Sequence, residues 1–144
     1  MNDIQRVLIN ITGEQSDGEN VEDIAITTEG TFEAIDDGYR IRYSESDEDG
    51  NDTTTILSVF EKDGKEYVSL DRSGMITSNL VIAKGERNTS VYQVGPISMT
   101  VGVFGEIVKS EFYEQKMSLQ MAYTIDINSI NTGRNQLTID VTHI

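Results

Sequence analysis

The chain has 144 residues, enough for one domain to bury a core without help from metals or disulfides. It contains no cysteine, which excludes disulfides, thiolate metal sites and cysteine nucleophiles. Its 25 acids against 11 bases give a formal net charge of −14, a field that repels phosphate backbones and anionic membrane surfaces. No nucleic-acid partner and no membrane partner is therefore expected, and the acidity is read as a solvated surface.

A hydrophobic content of 37% is modest and suits strands with one apolar and one wet face. No apolar stretch approaches the length of a membrane-spanning helix. The opening MNDIQRVLIN has no basic start leading into an apolar run, so no secretory signal is expected and the expected location is the cytoplasm.

Alternation with period two recurs along most of the chain. The first strand is predicted near Ile4–Thr12, with Val7, Ile9 and Ile11 on one face. GEQSDGEN is a turn, and the next strand carries Ile24 and Ile26. Gly30 reads as a turn or kink, after which Thr31–Ile35 leads into a short Asp-Gly turn at Asp36-Asp37-Gly38. Tyr39–Glu45 alternates cleanly, and the acidic loop SDEDGND separates it from Thr53–Glu61. A second Asp-Gly signal, Lys62-Asp63-Gly64-Lys65, joins that strand to Glu66–Arg72. Met75–Ile82, Thr89–Val94, Ile97–Phe104 and Glu106–Phe112 read as four more strands, with Gly85, Gly95 and Gly105 between them. Two long strands close the chain, one with Met117, Leu119, Met121, Tyr123, Ile125 and Ile127 on its apolar face, the other with Leu137, Ile139 and Val141.

No convincing helix emerges, and the single proline, Pro96, falls at a turn. Closure removes the exposed edges that so long a sheet would otherwise have to defend. The expected fold is all-β, an antiparallel meandering β-barrel of about 8–12 strands forming one domain over residues 1–144.

Three segments carry a resemblance: Tyr39–Glu45 (YRIRYSE), Asp71–Met75 (DRSGM), and Gly85 with Thr89–Gly95 (TSVYQVG). In these, and in strand spacing over nearly the whole chain, the sequence resembles a YwiB-like family of small bacterial proteins, a domain of unknown function. The resemblance implies a calycin-like (lipocalin-like) β-barrel and no activity. Where many such sequences read Tyr-x-Thr-Pro-x-Gly, this one has Tyr92-Gln93-Val94-Gly95-Pro96-Ile97. The chain also has no tryptophan and so lacks the Gly-x-Trp start of true lipocalins, which weakens the lipid-carrier analogy.

Parity supplies the candidate site. Along Tyr39–Glu45 the odd positions are the apolar ones, so Glu45 shares the inner face with Tyr39, Ile41 and Tyr43. Along Glu66–Arg72 the even positions include Val68 and Leu70, which puts Arg72 on the inner face as well. Both charges stand near strand ends, where a barrel opens, and an unpaired buried charge is costly. Glu45 and Arg72 are therefore expected to face inward and to bond each other. In the functional version they anchor a ligand's head group, with Tyr43, Tyr92 and Tyr123 nearby; in the structural version they form an ion pair and nothing more. Tyr92 competes for the inner face with Val91.

Other chemistry fares worse. Placing Gly50 at the sixth position of a calcium loop puts Glu45, Asp47 and Asp49 at the first, third and fifth. The twelfth is then Ile56, and the flanks are strands, so a solvated hairpin loop is expected. His143 is the only histidine, stands at the C-terminus and has no metal-binding or catalytic companions. There is no Gly-x-Ser-x-Gly elbow, and GPISMTVG lacks the lysine of a phosphate loop. Met117 and Met121 read as core filling. No spacing selects a catalytic pair from the acids. The sequence thus points to a protein with no catalytic residues, no metal and no cofactor, a small barrel binding a small-molecule ligand as monomer or homodimer. The alternative is a structural or interaction protein whose barrel is filled by side chains; a carboxylate hydrolase stands third.

Overall fold

The alternation is realised as ten antiparallel strands in a computed structural model that describes residues 4–46, 48–114 and 116–144. In chain order they are β1 (Ile4–Ser16), β2 (Val21–Ile35), β3 (Gly38–Ser46), β4 (Asp52–Lys62), β5 (Lys65–Gly74), β6 (Ile76–Ala83), β7 (Arg87–Val94), β8 (Ile97–Tyr113), β9 (Lys116–Ile127) and β10 (Ile130–His143). Each strand pairs with the next, and β10 returns to β1, so the sheet is a closed barrel without a free edge. The closing ladder is long, running from Val7 opposite His143 to Ser16 opposite Arg134.

The inner face is the one that parity assigns. Ile9, Ile41, Leu57, Ile82, Leu119 and Met121 are fully buried, as are Val7, Val68 and Val141. Each such side chain contributes about 1.5–3 kcal/mol by leaving water. The Asp63-Gly64 turn has both residues at positive φ, 54° and 77°, the conformation that lets a two-residue hairpin follow the twist of its strands.

Three local expectations need correction. Gly30 is no turn, because β2 runs straight through it. It is a point of close approach, where an added methyl would collide with the Arg42 carbonyl oxygen and with Ile9 Cδ1, at 2.7 Å. Gly105 likewise does not separate two strands. β8 continues through a bulge between Gly105 and Ile107, and a side chain at Gly105 would strike the Ala83 carbonyl. The expected Asp-Gly turn lies one residue earlier, at Asp36-Asp37, since Ile35 pairs with Gly38 and Asp37 itself takes a φ of 65°.

One seam is thin. β6 and β7 share only three registered pairs, Ile76–Val94, Thr77–Gln93 and Ser78–Tyr92. Below them side chains take over the ladder: Ser90 Oγ donates to the Asn79 carbonyl and Asn88 Nδ2 donates to the Val81 carbonyl at 3.4 Å. The β6–β7 turn is pinned to the β8 bulge, with Gly85 N–H donating to Gly105 O at 2.9 Å and Gly105 N–H to Glu86 O at 3.1 Å. The meander gives the barrel two poles. The upper pole carries the turns after β1, β3, β5, β7 and β9; the lower pole carries the other turns and the C-terminal end of β10.

Candidate functional site

The upper pole opens into a cavity of about 500 Å³. Its walls are mostly aliphatic, from Ile11, Ile26, Leu57, Leu70, Met121 and Ile139, while Tyr43, Glu45, Thr55 and Arg72 bring polar atoms to it. Arg72 is half-buried and Glu45 exposed, so the guanidinium sits in the wall and the carboxylate at the mouth.

Register explains how the polar groups meet. Tyr43 lies opposite Thr55, Thr55 opposite Arg72, Arg72 opposite Ser78, and Ser78 opposite Tyr92. Five neighbouring strands therefore turn a polar side chain inward along one row. Within it Thr55 is 1% exposed and Ser78 is 5% exposed, and Ser78 Oγ has no hydrogen-bond partner. Buried hydroxyls are nearly always bonded, so such an orphan calls for an explanation.

The tyrosines report the local field. Burial pushes the Tyr43 hydroxyl up from its ordinary value; the Arg72 charge pulls it back, the Glu45 charge raises it, and contact with Thr55 lowers it. Tyr43 thus feels both charges at once. Burial also raises Tyr123, again with Arg72 opposing, while Tyr43 and Tyr92 add to the rise and Asn135 lowers it. The phenols of β3 and β9 therefore lie within electrostatic reach of one guanidinium.

The structure brings Tyr43, Glu45 and Arg72 to one cavity. Tyr123 is buried beside them without lining it. Tyr92 is half-buried on the inner face and Val91 is 56% exposed, which resolves their competition. The expected bond between Glu45 and Arg72 is not made: among the described residues no ion pair within 4.0 Å joins them, and Arg72 has no carboxylate partner. Their separation follows from register, since Glu45 lies opposite Thr53 whereas Arg72 lies opposite Thr55. Ser78, Thr55 and Asn135 were not singled out from the sequence, although Ser78 shares the parity of Leu80 and Ile82.

Asp47 of the acidic loop lies outside the described residues. The rest of that loop bridges β3 and β4, and Ser46 Oγ donates to Asp52 Oδ1 at its base. Among the described residues no group of three or more acidic or histidine side chains is placed to hold a metal. His143 ends β10 at the lower pole, edge-on to Phe32 at 5.6 Å.

A closed meander with a polar row beneath one open pole defines a calycin-like barrel of the small-cavity type. The chain belongs to the family described as Domain of unknown function (DUF1934), whose model matches residues 9–139. In fold it is similar to the ywiB protein from Bacillus subtilis, with a TM-score of 0.83, 18% identity, and coverage of 98% of this chain and 93% of that one. A protein of unknown function from Bacteroides ovatus aligns at 8% identity and a TM-score of 0.43, over 97% of this chain and 41% of that one. No curated protein matches the sequence.

Proposed function

We propose that this protein is a non-catalytic binding module that holds one small, largely apolar molecule in the upper cavity. The observation that carries the reading is the cavity itself. At about 500 Å³ it falls within the ~300–1,000 Å³ range of small-molecule sites, and its aliphatic wall is interrupted by a few convergent polar groups. A barrel serving only as a scaffold has no use for such a void, since empty apolar volume costs stability. The net charge of −14 supports a role away from nucleic acids and anionic membranes.

The test is native mass spectrometry of the protein purified from its own host, together with uptake of the uncharged fluorophore N-phenyl-1-naphthylamine. A co-purifying small molecule, and dye uptake that Ile139→Trp abolishes by filling the cavity, are the expected results. A ligand-free protein that also excludes the dye would overturn the reading.

A further inference from the structure

The cavity holds one positive and one negative side chain that do not neutralise each other. Arg72 lies in its wall without a carboxylate partner among the described residues, and Glu45 stands at its mouth in the same condition. Next to Arg72 in register is Ser78, 5% exposed, inward-facing and with an unbonded hydroxyl. The wall thus carries an acceptor-seeking group, Arg72, and the entrance a donor-seeking one, Glu45, while the Ser78 hydroxyl is sealed behind the lining. A half-buried guanidinium left without a counter-ion is costly, and an anionic oxygen pair in the cavity would satisfy it.

A plain anion is a poor occupant. It would have to approach a chain of net charge −14 and pass the Glu45 carboxylate on its way to Arg72. A plain cation would meet the like charge of Arg72 and leave it without a counter-ion. A molecule carrying both charges answers each group in turn and is neutral to the field outside.

We propose that the upper cavity takes a zwitterion with an apolar body, of the class of hydrophobic α-amino acids, its carboxylate on Arg72 and its ammonium toward Glu45. The assignment rests on the binding role argued above and adds the head-group chemistry. Tyr43 lines the same cavity, two strands from Arg72 along the polar row.

Four eight-carbon probes separate the charges at constant tail: 2-aminooctanoic acid (both charges), octanoic acid (anion), octylamine (cation) and 1-octanol (neither). Isothermal titration should find the zwitterion at least about tenfold tighter than the other three, since only it makes a charge-assisted contact at both ends of its head group. Arg72→Met should reduce its affinity to that of octylamine, and Glu45→Gln to that of octanoic acid. Ser78→Ala, behind the lining, should leave its affinity unchanged. Glu45 is exposed and Arg72 has no carboxylate partner among the described residues, so neither change threatens the fold, and circular dichroism verifies this. Octanoic acid binding as tightly as the zwitterion, or affinity insensitive to both charge changes, would overturn the proposal while leaving the binding role standing. Failure of all four probes together with the neutral dye would overturn both.

Discussion

The two poles of the barrel must each end a tube of apolar side chains, and they do so in opposite ways. At the lower pole aromatic rings pack into the tube and leave a smaller hollow of about 270 Å³ among them. Phe32 stacks on Tyr39 at 5.6 Å, Phe112 meets Tyr39 edge-on at 5.3 Å, and the Tyr39 hydroxyl donates to Met117 Sδ at 3.3 Å. The inward carboxylate there, Glu66, accepts a hydrogen bond from Ser110 Oγ at 2.6 Å. Every one of these polar groups finds its partner inside the protein. At the upper pole, among the described residues, Arg72 has no carboxylate partner and Ser78 Oγ no hydrogen-bond partner, and a larger open space of about 500 Å³ takes the place of the rings. Satisfaction at one end and deficit at the other, within one sheet, mark the lower pole as the foundation and the upper as the place where something from outside completes the structure.

Substitutions can break or sharpen that contrast. The largest effect is expected from Tyr39→Ala, which removes the centre of the aromatic plug and should cost about 3–5 kcal/mol in urea denaturation, as other buried aromatic truncations do. Arg72→Met should act in the other direction. Exchanging an unpaired, half-buried charge for an apolar side chain of similar length should raise stability by about 1 kcal/mol, read as a higher denaturation midpoint. The serines make the closest comparison. Ser110→Ala withdraws the donor from Glu66 and should cost about 1 kcal/mol, whereas Ser78→Ala removes an orphan hydroxyl and should be neutral or stabilising by about 0.5 kcal/mol. Equal losses at the two serines would erase the distinction between the poles.

The smallest effect at neutral pH is electrostatic. Burial raises the phenols of Tyr39, Tyr43 and Tyr123, so each holds its proton more tightly folded than unfolded. Their contribution to stability is fully present below the ordinary tyrosine range, near ~10, and is lost as pH rises toward the folded values. Phenolate absorbance near 295 nm should therefore show these three ionising late, together with alkaline unfolding. Ionisation of all six tyrosines in one step below the unfolding transition would contradict their burial.

The barrel was legible in the sequence because strand parity is a local property. Tyr39–Glu45 and Glu66–Arg72 show their inner faces without reference to anything distant. Gly30 and Gly105 were misread for a physical reason. A glycine that ends a strand and a glycine that lets another backbone approach look alike until the neighbouring strand is in place. The site was half legible. The charges Glu45 and Arg72 stand out on apolar faces, but whether they touch depends on the stagger between β3 and β5, which no local pattern encodes. Ser78 was silent, since a serine between leucines and isoleucines is notable only once its hydroxyl is known to lack a partner.

The thin β6–β7 seam has a mechanical consequence. Where the chain is cut by its own termini, β1 and β10 knit together from Val7 to Ser16. The weakest line down the wall instead lies between two strands tethered by the short turn at Lys84–Glu86, itself fastened to β8. Cutting the chain at Gly85 and fusing the natural ends would move the nick onto this line. Such a permutant should unzip there first, with amides of β6 and β7 exchanging with solvent ahead of the rest, because covalent continuity now does what hydrogen bonds elsewhere do.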